Sequence, residues 1–260
     1  MSYPLASNPM IHFVIELQHS SVEVRLLLNG IELHRGKPAD KKIIQQKVNG
    51  WMTAAGNELE LYAGIPDPAN LPNPLDLKCL VFKGPQGRQP SEDEALAHYA
   101  ERDKAKLPTG SMQLVWKTSF ASDPFYGPWR WESARPISAD PPTVASALQL
   151  IHSVSAGLGE HDSESVVRFF RVYIDESARA YGMKVERIEE QLRAMCESWP
   201  AGSAGKPAAD DYSFFVEENR RLMRIERKDG LSVFGDPKSP GSGPRRVYVS
   251  SLQEGLAIVR

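Results

Sequence analysis

The sequence predicts an α+β protein of two domains, with an antiparallel β domain first and helices packed on an antiparallel sheet second. Three observations predict it. Apolar and polar residues alternate at period two in several segments between Ile11 and Lys117, the pattern of half-buried strands. From Thr143 to Cys196 the apolar positions fall instead at helical spacing. Between these stretches Pro136 to Pro142 combines two adjacent prolines with a small polar run, which marks a boundary. A chain of 260 residues also exceeds the usual single-domain size of roughly 100 to 150 residues.

In the first half, Ile11 to Leu17 has strand length, and Val22, Val24 and Leu26 alternate with Glu23 and Arg25. Asn29-Gly30 follows at once, the dipeptide that supplies two positive φ angles for a type I′ hairpin. Ile31 and Leu33 start the return strand. Ile43 to Val48 is next, then a bend at Trp51-Met52, and Gly56-Asn57 opens a strand carrying Leu59 and Leu61. The prolines at 66, 68, 72 and 74 make a surface loop, since proline cannot donate to a ladder. Leu75 to Lys83 returns to strand with both faces apolar. Ser91 and Glu94 form a capping box that predicts a helix from 91 to 106, inserted before a strand at Met112 to Lys117. Trp129 to Glu132 reads as one more short strand.

The residues Leu28-Asn29-Gly30, then Trp51-Met52, then Gly56-Asn57-Glu58-Leu59-Glu60-Leu61 resemble the turn and strand motifs of jelly-roll, galactose-binding-like accessory domains found beside glycosidases. The resemblance covers about forty residues. It implies a β-sandwich over residues 10–135, with the predicted helix as an insertion. Those residues form turns in the family, so it implies no sugar ligand.

In the second half, Thr143 is the expected N-cap of a helix carrying Val144, Leu148, Ile151 and Leu158. Asp162 or Ser163 caps a second helix with Val166, Val167, Phe170, Tyr173, Ile174 and Ala178 on one stripe, closed by Gly182. Val185 to Cys196 is a third. After an Ala/Gly/Pro-rich stretch at 198–211, strands are expected at Tyr212 to Val216, Leu222 to Arg227, Leu231 to Phe234 and Arg246 to Val249. A last edge follows at Leu256 to Val259, and Asp236 to Pro244 is a loop. Helices followed by an antiparallel run resemble the cystatin-like, NTF2-like α+β fold, which implies a curved sheet wrapped on a helix over residues 143–260.

Composition excludes several classes. A hydrophobic fraction of 41% and a charged fraction of 25% are those of a globular chain. The net charge of −2 supplies no field for nucleic acid or an anionic membrane. No apolar run approaches the roughly 18 residues of a spanning helix, and the N-terminus lacks the basic start and long apolar core of a signal peptide. The expectation is a cytoplasmic bacterial protein with buried, reduced Cys79 and Cys196.

Motifs with committed chemistry are missing. The six histidines form no HxH, HxxxH or HExxH pair, and GxGxxG, GxxxxGK[ST] and GxSxG do not occur. Neither a metal nor a cofactor is expected. The aromatic segment carries the most functional weight: Phe120, Phe125, Tyr126, Trp129 and Trp131, with Trp116 nearby, would anchor a protein partner or stack on a sugar if exposed. Buried, they would fill a core. A second candidate is a pocket in the C-terminal domain, using His161, Tyr173, Asp175 and Tyr181 for acid/base or ligand work. Its bland counterpart has Asp162 as a cap, His161 in a loop, and Asp175 in exposed pairs with Arg171 and Arg179 at i,i+4 spacing. Arg220, Arg221, Arg224, Arg227, Arg245 and Arg246 read as the charge protecting a solvated sheet edge. The functional expectation is a non-catalytic protein-binding protein of the adaptor or immunity type. Its alternatives are an enzymatic or ligand-binding C-terminal pocket and carbohydrate binding through Trp129 and Trp131.

Overall fold

The computed structural model describes residues 10–38, 42–66, 76–85, 91–201, 208–234 and 244–260. The expected N-terminal arm (1–9), most of the proline loop (67–74), the middle of the Ala/Gly/Pro-rich stretch (202–207) and most of the last loop (236–243) lie outside them. Among the described residues, twelve strands form three antiparallel sheets, accompanied by four α-helices. No helix among them is long and apolar enough to cross a membrane. The chain divides into two compact units, Met1–Gly127 and Pro128–Arg260.

The first unit contains two of the sheets. One is ordered β4-β1-β6-β7, from Lys42–Lys47, Ile11–Ser20, Asp76–Pro85 and Ala97–Glu101. The other is β3-β2-β5-β8, from Ile31–Gly36, Glu23–Leu28, Asn57–Gly64 and Gln113–Phe120. The Asn29-Gly30 turn adopts the predicted conformation, with φ of 54° and 71°. Phe13, Ile15 and Leu17 of β1 are buried and pair in register with Lys83, Val81 and Cys79 of β6. Ring contacts bridge the sheets at two places: His19 of β1 lies 5.8 Å from His34 of β3, and Tyr99 of β7 stacks on Trp116 of β8 at 5.6 Å.

Two asparagines tie the separated turn motifs together. Asn29 Nδ2 donates to the Trp51 carbonyl at 2.8 Å and to Asn57 Oδ1 at 2.9 Å, while its Oδ1 accepts from the Glu58 amide at 3.0 Å. Asn57 Oδ1 also accepts from the Thr53 amide at 2.8 Å. The hairpin, the bend and the start of β5 therefore share one polar junction centred on the buried Asn57.

The segment 91–106 corrects the predicted helical insertion. Glu94 does accept from the Ser91 amide at 3.1 Å, but it caps only a single 3-10 turn, Glu92–Glu94, and the chain then extends into β7. The cause is tertiary. β6 is apolar on both faces, and without β7 its outer backbone groups would lack partners at a largely buried position. Pairing Cys79 with Tyr99 and Val81 with Ala97 satisfies them, and that outweighs helix propensity.

In the second unit, α1 spans Pro141–Gly159, α2 Ser163–Phe169, α3 Arg171–Tyr181 and α4 Val185–Glu197. Strands β9 (Tyr212–Val216), β10 (Met223–Arg227), β11 (Arg246–Leu252) and β12 (Gly255–Ile258) form a meander. Ala147, Ile151, Val154 and Leu158 line one stripe of α1 and meet Ile188, Leu192 and Cys196 of α4 in a core that includes Met223, Ile225, Val247 and Val249 of the sheet. The N-cap of α1 is Asp140 rather than Thr143. Its carboxylate accepts from the Thr143 amide at 2.9 Å, and the two prolines occupy the first helical positions, where no amide is needed. The expected second helix is broken at Phe170, whose ψ of 9° separates α2 from α3. Leu231 to Phe234 forms turns and bends rather than a strand.

The expected boundary at 136–142 falls inside the second unit. Arg135 bridges to Ser251, and the Ile137 amide donates to the Arg220 carbonyl at 2.8 Å. The expected strand at Trp129 to Glu132 is a 3-10 turn, Arg130–Ser133, closed by the Glu132 carboxylate accepting from the Trp129 amide at 2.8 Å. One cysteine lies in each unit: both thiols are free and fully buried.

Candidate functional site

The aromatic segment does not form one face. Phe120 ends β8 and is buried. Phe125 and Tyr126 are half-buried in the same unit, where the Tyr126 hydroxyl accepts from the Ile11 amide at 3.1 Å. Trp129 and Trp131 belong to the second unit and are 1% and 3% exposed. Rings so enclosed present no face to a sugar; they do the packing work that the core reading requires.

Trp129 is the centre of a charged cluster. The guanidiniums of Arg179 and Arg260 lie 5.1 and 5.3 Å from its ring. Arg260 also donates to the buried Glu176 at 2.7 Å, and the Arg130 amide donates to the same carboxylate at 2.5 Å. Burial raises the Glu132 carboxyl above its ordinary value, against the Trp129 amide, and the Glu176 charge adds to the rise. A displaced carboxyl beside a second one is a common acid/base signature. Here its partners are backbone and structural cations, so the cluster reads as an anchor.

The four residues of the candidate C-terminal pocket are dispersed. His161, at φ 59° between α1 and α2, places Nε2 3.0 Å from the Trp199 carbonyl. Asp162 caps α2, its carboxyl held below the usual value by the Ser165 hydroxyl and amide. Asp175 is exposed and paired with Arg171 at 3.1 Å. Tyr173 packs edge-on to Phe170 at 6.0 Å, and Tyr181 ends α3 half-buried. A cleft of about 330 Å³ opens at the start of α1, lined among others by Ser138, Asp140, Thr143, Ser146 and Ser251, and none of the four candidates lines it. Among the described residues, no group of three or more His, Cys, Asp or Glu side chains is placed to hold a metal ion.

The arginine cluster is also placed differently from the expectation. Its central strand β10 runs between β9 and β11 and is no edge. Arg224, 4% exposed, sits 3.4 Å from Glu217 and 3.3 Å from Glu226, and Arg246 pairs with Glu226 at 2.7 Å. Arg221 donates to the carbonyls of Glu132 and Ala134, and Arg227 pairs with Asp229 at 2.5 Å. The positive charge is thus largely matched locally.

This arrangement leaves one exposed aromatic position that the sequence did not single out. Tyr212, Phe214 and Val216 of β9 pack on the core, so Phe215 points away from it. It is 42% exposed, and the Arg224 guanidinium lies 4.7 Å from its ring. In register, Phe215, Arg224 and Tyr248 form a row across β9, β10 and β11 on the face away from the helices, and of the three only Phe215 is exposed, Arg224 and Tyr248 being buried. The available signal was the Phe214-Phe215 pair itself: on a strand, adjacent side chains take opposite faces, so one ring had to leave the core. Comparisons with protein-family models, with curated proteins and with solved structures return no match to this chain.

Proposed function

We propose that the chain is a non-catalytic protein-binding protein of the adaptor or immunity type, and that it engages its partner through the exposed Phe215 of β9. The observation that carries this reading is the Phe215 ring, 42% exposed on an edge strand and held under Arg224. Single exposed apolar residues are ordinary. The Arg224 guanidinium 4.7 Å from the ring favours one placement of Phe215 by a cation–π contact, which lowers the ordering entropy that opposes binding. Aromatic rings and arginine are also the residues that dominate interface energetics.

The finer fold reading goes with it: the two four-stranded sheets as halves of a β-sandwich, supported by the His19–His34 and Tyr99–Trp116 ring contacts, and the second unit as NTF2-like, supported by helices preceding a meander. Two free buried thiols suit a reducing, cytoplasmic setting. A small-molecule reading has one observation in its favour, the hydroxyl-lined cleft beside Asp140.

The test is affinity capture from the native cell with the wild-type chain, Phe215→Glu, and Leu114→Glu as an exposed control. A partner retained by wild type and the control but lost with Phe215→Glu supports the reading, with a loss of about thirtyfold or more in affinity. Equal retention by all three removes Phe215 from the interface.

A further inference from the structure

The first unit holds a pair of histidines that the proposed interface does not use. His19 of β1 and His34 of β3 come from opposite sheets and meet with ring centroids 5.8 Å apart. Gly36 lies beside both rings: a Cβ there would sit 2.9 Å from Nε2 of His19 and 2.9 Å from Nε2 of His34. Two imidazole nitrogens therefore border one small space that a side chain at Gly36 would fill. His19 is fully buried, yet its Nε2 has no hydrogen-bond partner among the described residues. A buried nitrogen in that position is costly unless an ion or a water completes it. Burial, and after it the Lys42 charge, holds the His19 ring below its ordinary pKa, so near neutral pH it keeps a lone pair to donate.

We infer that His19 and His34 bind a closed-shell monovalent metal ion, Cu⁺ in a cell, through their Nε2 atoms. Imidazole suits both copper and zinc. Zinc sites draw three or four ligands from the protein, and among the described residues no third His, Cys, Asp or Glu joins this pair. No carboxylate or thiolate is therefore in place to offset a second positive charge, and Lys42 already acts on His19. Two neutral nitrogens satisfy Cu⁺, which accepts two ligands in line. His34 is only half-buried, which gives the ion a route that His19 by itself lacks.

The experiment titrates the full chain, free of oxygen, with Cu⁺ and separately with Zn²⁺, and follows the histidine rings by nitrogen NMR. Cu⁺ is expected to move the Nε2 signals of His19 and His34 together at stoichiometric addition, leaving that of the exposed His98 in place. Zn²⁺ binds the pair at least about tenfold more weakly. His34→Gln weakens Cu⁺ binding at least about tenfold, and Gly36→Ala, which keeps both rings but fills the space between them, abolishes it. Should Gly36→Ala fail to fold, His34→Gln at its half-buried position carries the test. Cu⁺ that shifts neither histidine has gone to sulfur and overturns the inference, as does equal binding by His34→Gln. Zn²⁺ held as tightly as Cu⁺ overturns the choice of ion. No response to either ion overturns the site and leaves a water as the partner of His19.

Discussion

Glu176 and Arg260 form an ion pair of 2.7 Å in which the two side chains are 1% and 8% exposed. Such a pair contributes little net stability while intact, because both ions were taken out of water, but losing one partner strands the other. Arg260→Ala is therefore expected to cost the second unit about 3 to 5 kcal/mol, read from the shift in the denaturant midpoint. Asp175→Asn, in the exposed pair with Arg171, is expected to stay within about 0.5 kcal/mol. Equal effects of the two variants would refute the anchoring role of the buried pair.

The Asn29–Asn57 junction gives a sharper expectation for the first unit. Asn57 is 1% exposed and accepts from both Asn29 and the Thr53 amide. Asn57→Ala leaves two donors without their acceptor, at a cost of about 3 kcal/mol. Thermal unfolding of wild type and variant measures it, and an unchanged midpoint would mean that water replaces the side chain.

His19 sets a pH dependence. Its ring is buried between the sheets beside His34, and a Cβ on Gly36 would lie 2.8 Å from the His19 ring and 2.9 Å from the His34 ring. Burial lowers its pKa below 6.5, and the Lys42 charge lowers it further, against a hydrogen bond with the Val22 backbone. Below its ordinary pKa the unfolded chain binds a proton that the folded chain refuses, so this contribution to stability is complete above 6.5 and is lost as pH falls through it. The denaturation midpoint is expected to drop between about pH 7.5 and about pH 5.5, and His19→Gln to flatten the drop. Parallel curves would clear His19 as the cause.

Gly182 ends α3 at φ 62°, with its amide donating to the Ala178 carbonyl. A side chain is strained in that left-handed conformation, so Gly182→Ala is expected to cost about 1 kcal/mol. A stabilised variant would show that the cap adapts to a different backbone conformation.

Local chemistry explains which parts of the fold were legible. Asn29-Gly30 and Gly182 specify their own backbone angles, and β9, predicted at Tyr212 to Val216, has those bounds. Segments whose state depends on distant partners were not legible. Ser91 to Lys106 carries a genuine capping box, yet β6 draws Ala97–Glu101 into its sheet. Trp129 to Glu132 has strand-like alternation, but Glu132 folds back onto the Trp129 amide and makes a turn. For the candidate site, the weight placed on Trp129 and Trp131 followed from ring size alone, which does not separate core from surface. Phe215 was available from period-two logic, whereas Arg224 lying over its ring required knowledge of which strand is central.

Cys79 lies in the first unit and Cys196 in the second, each fully buried and each with its thiol pKa raised by burial. One shielded sulfur per unit gives the protein a pair of internal clocks. A thiol reagent reacts with each sulfur only when its own surroundings open, so alkylation followed by peptide mass mapping times the opening of the two halves separately, in one untagged wild-type sample.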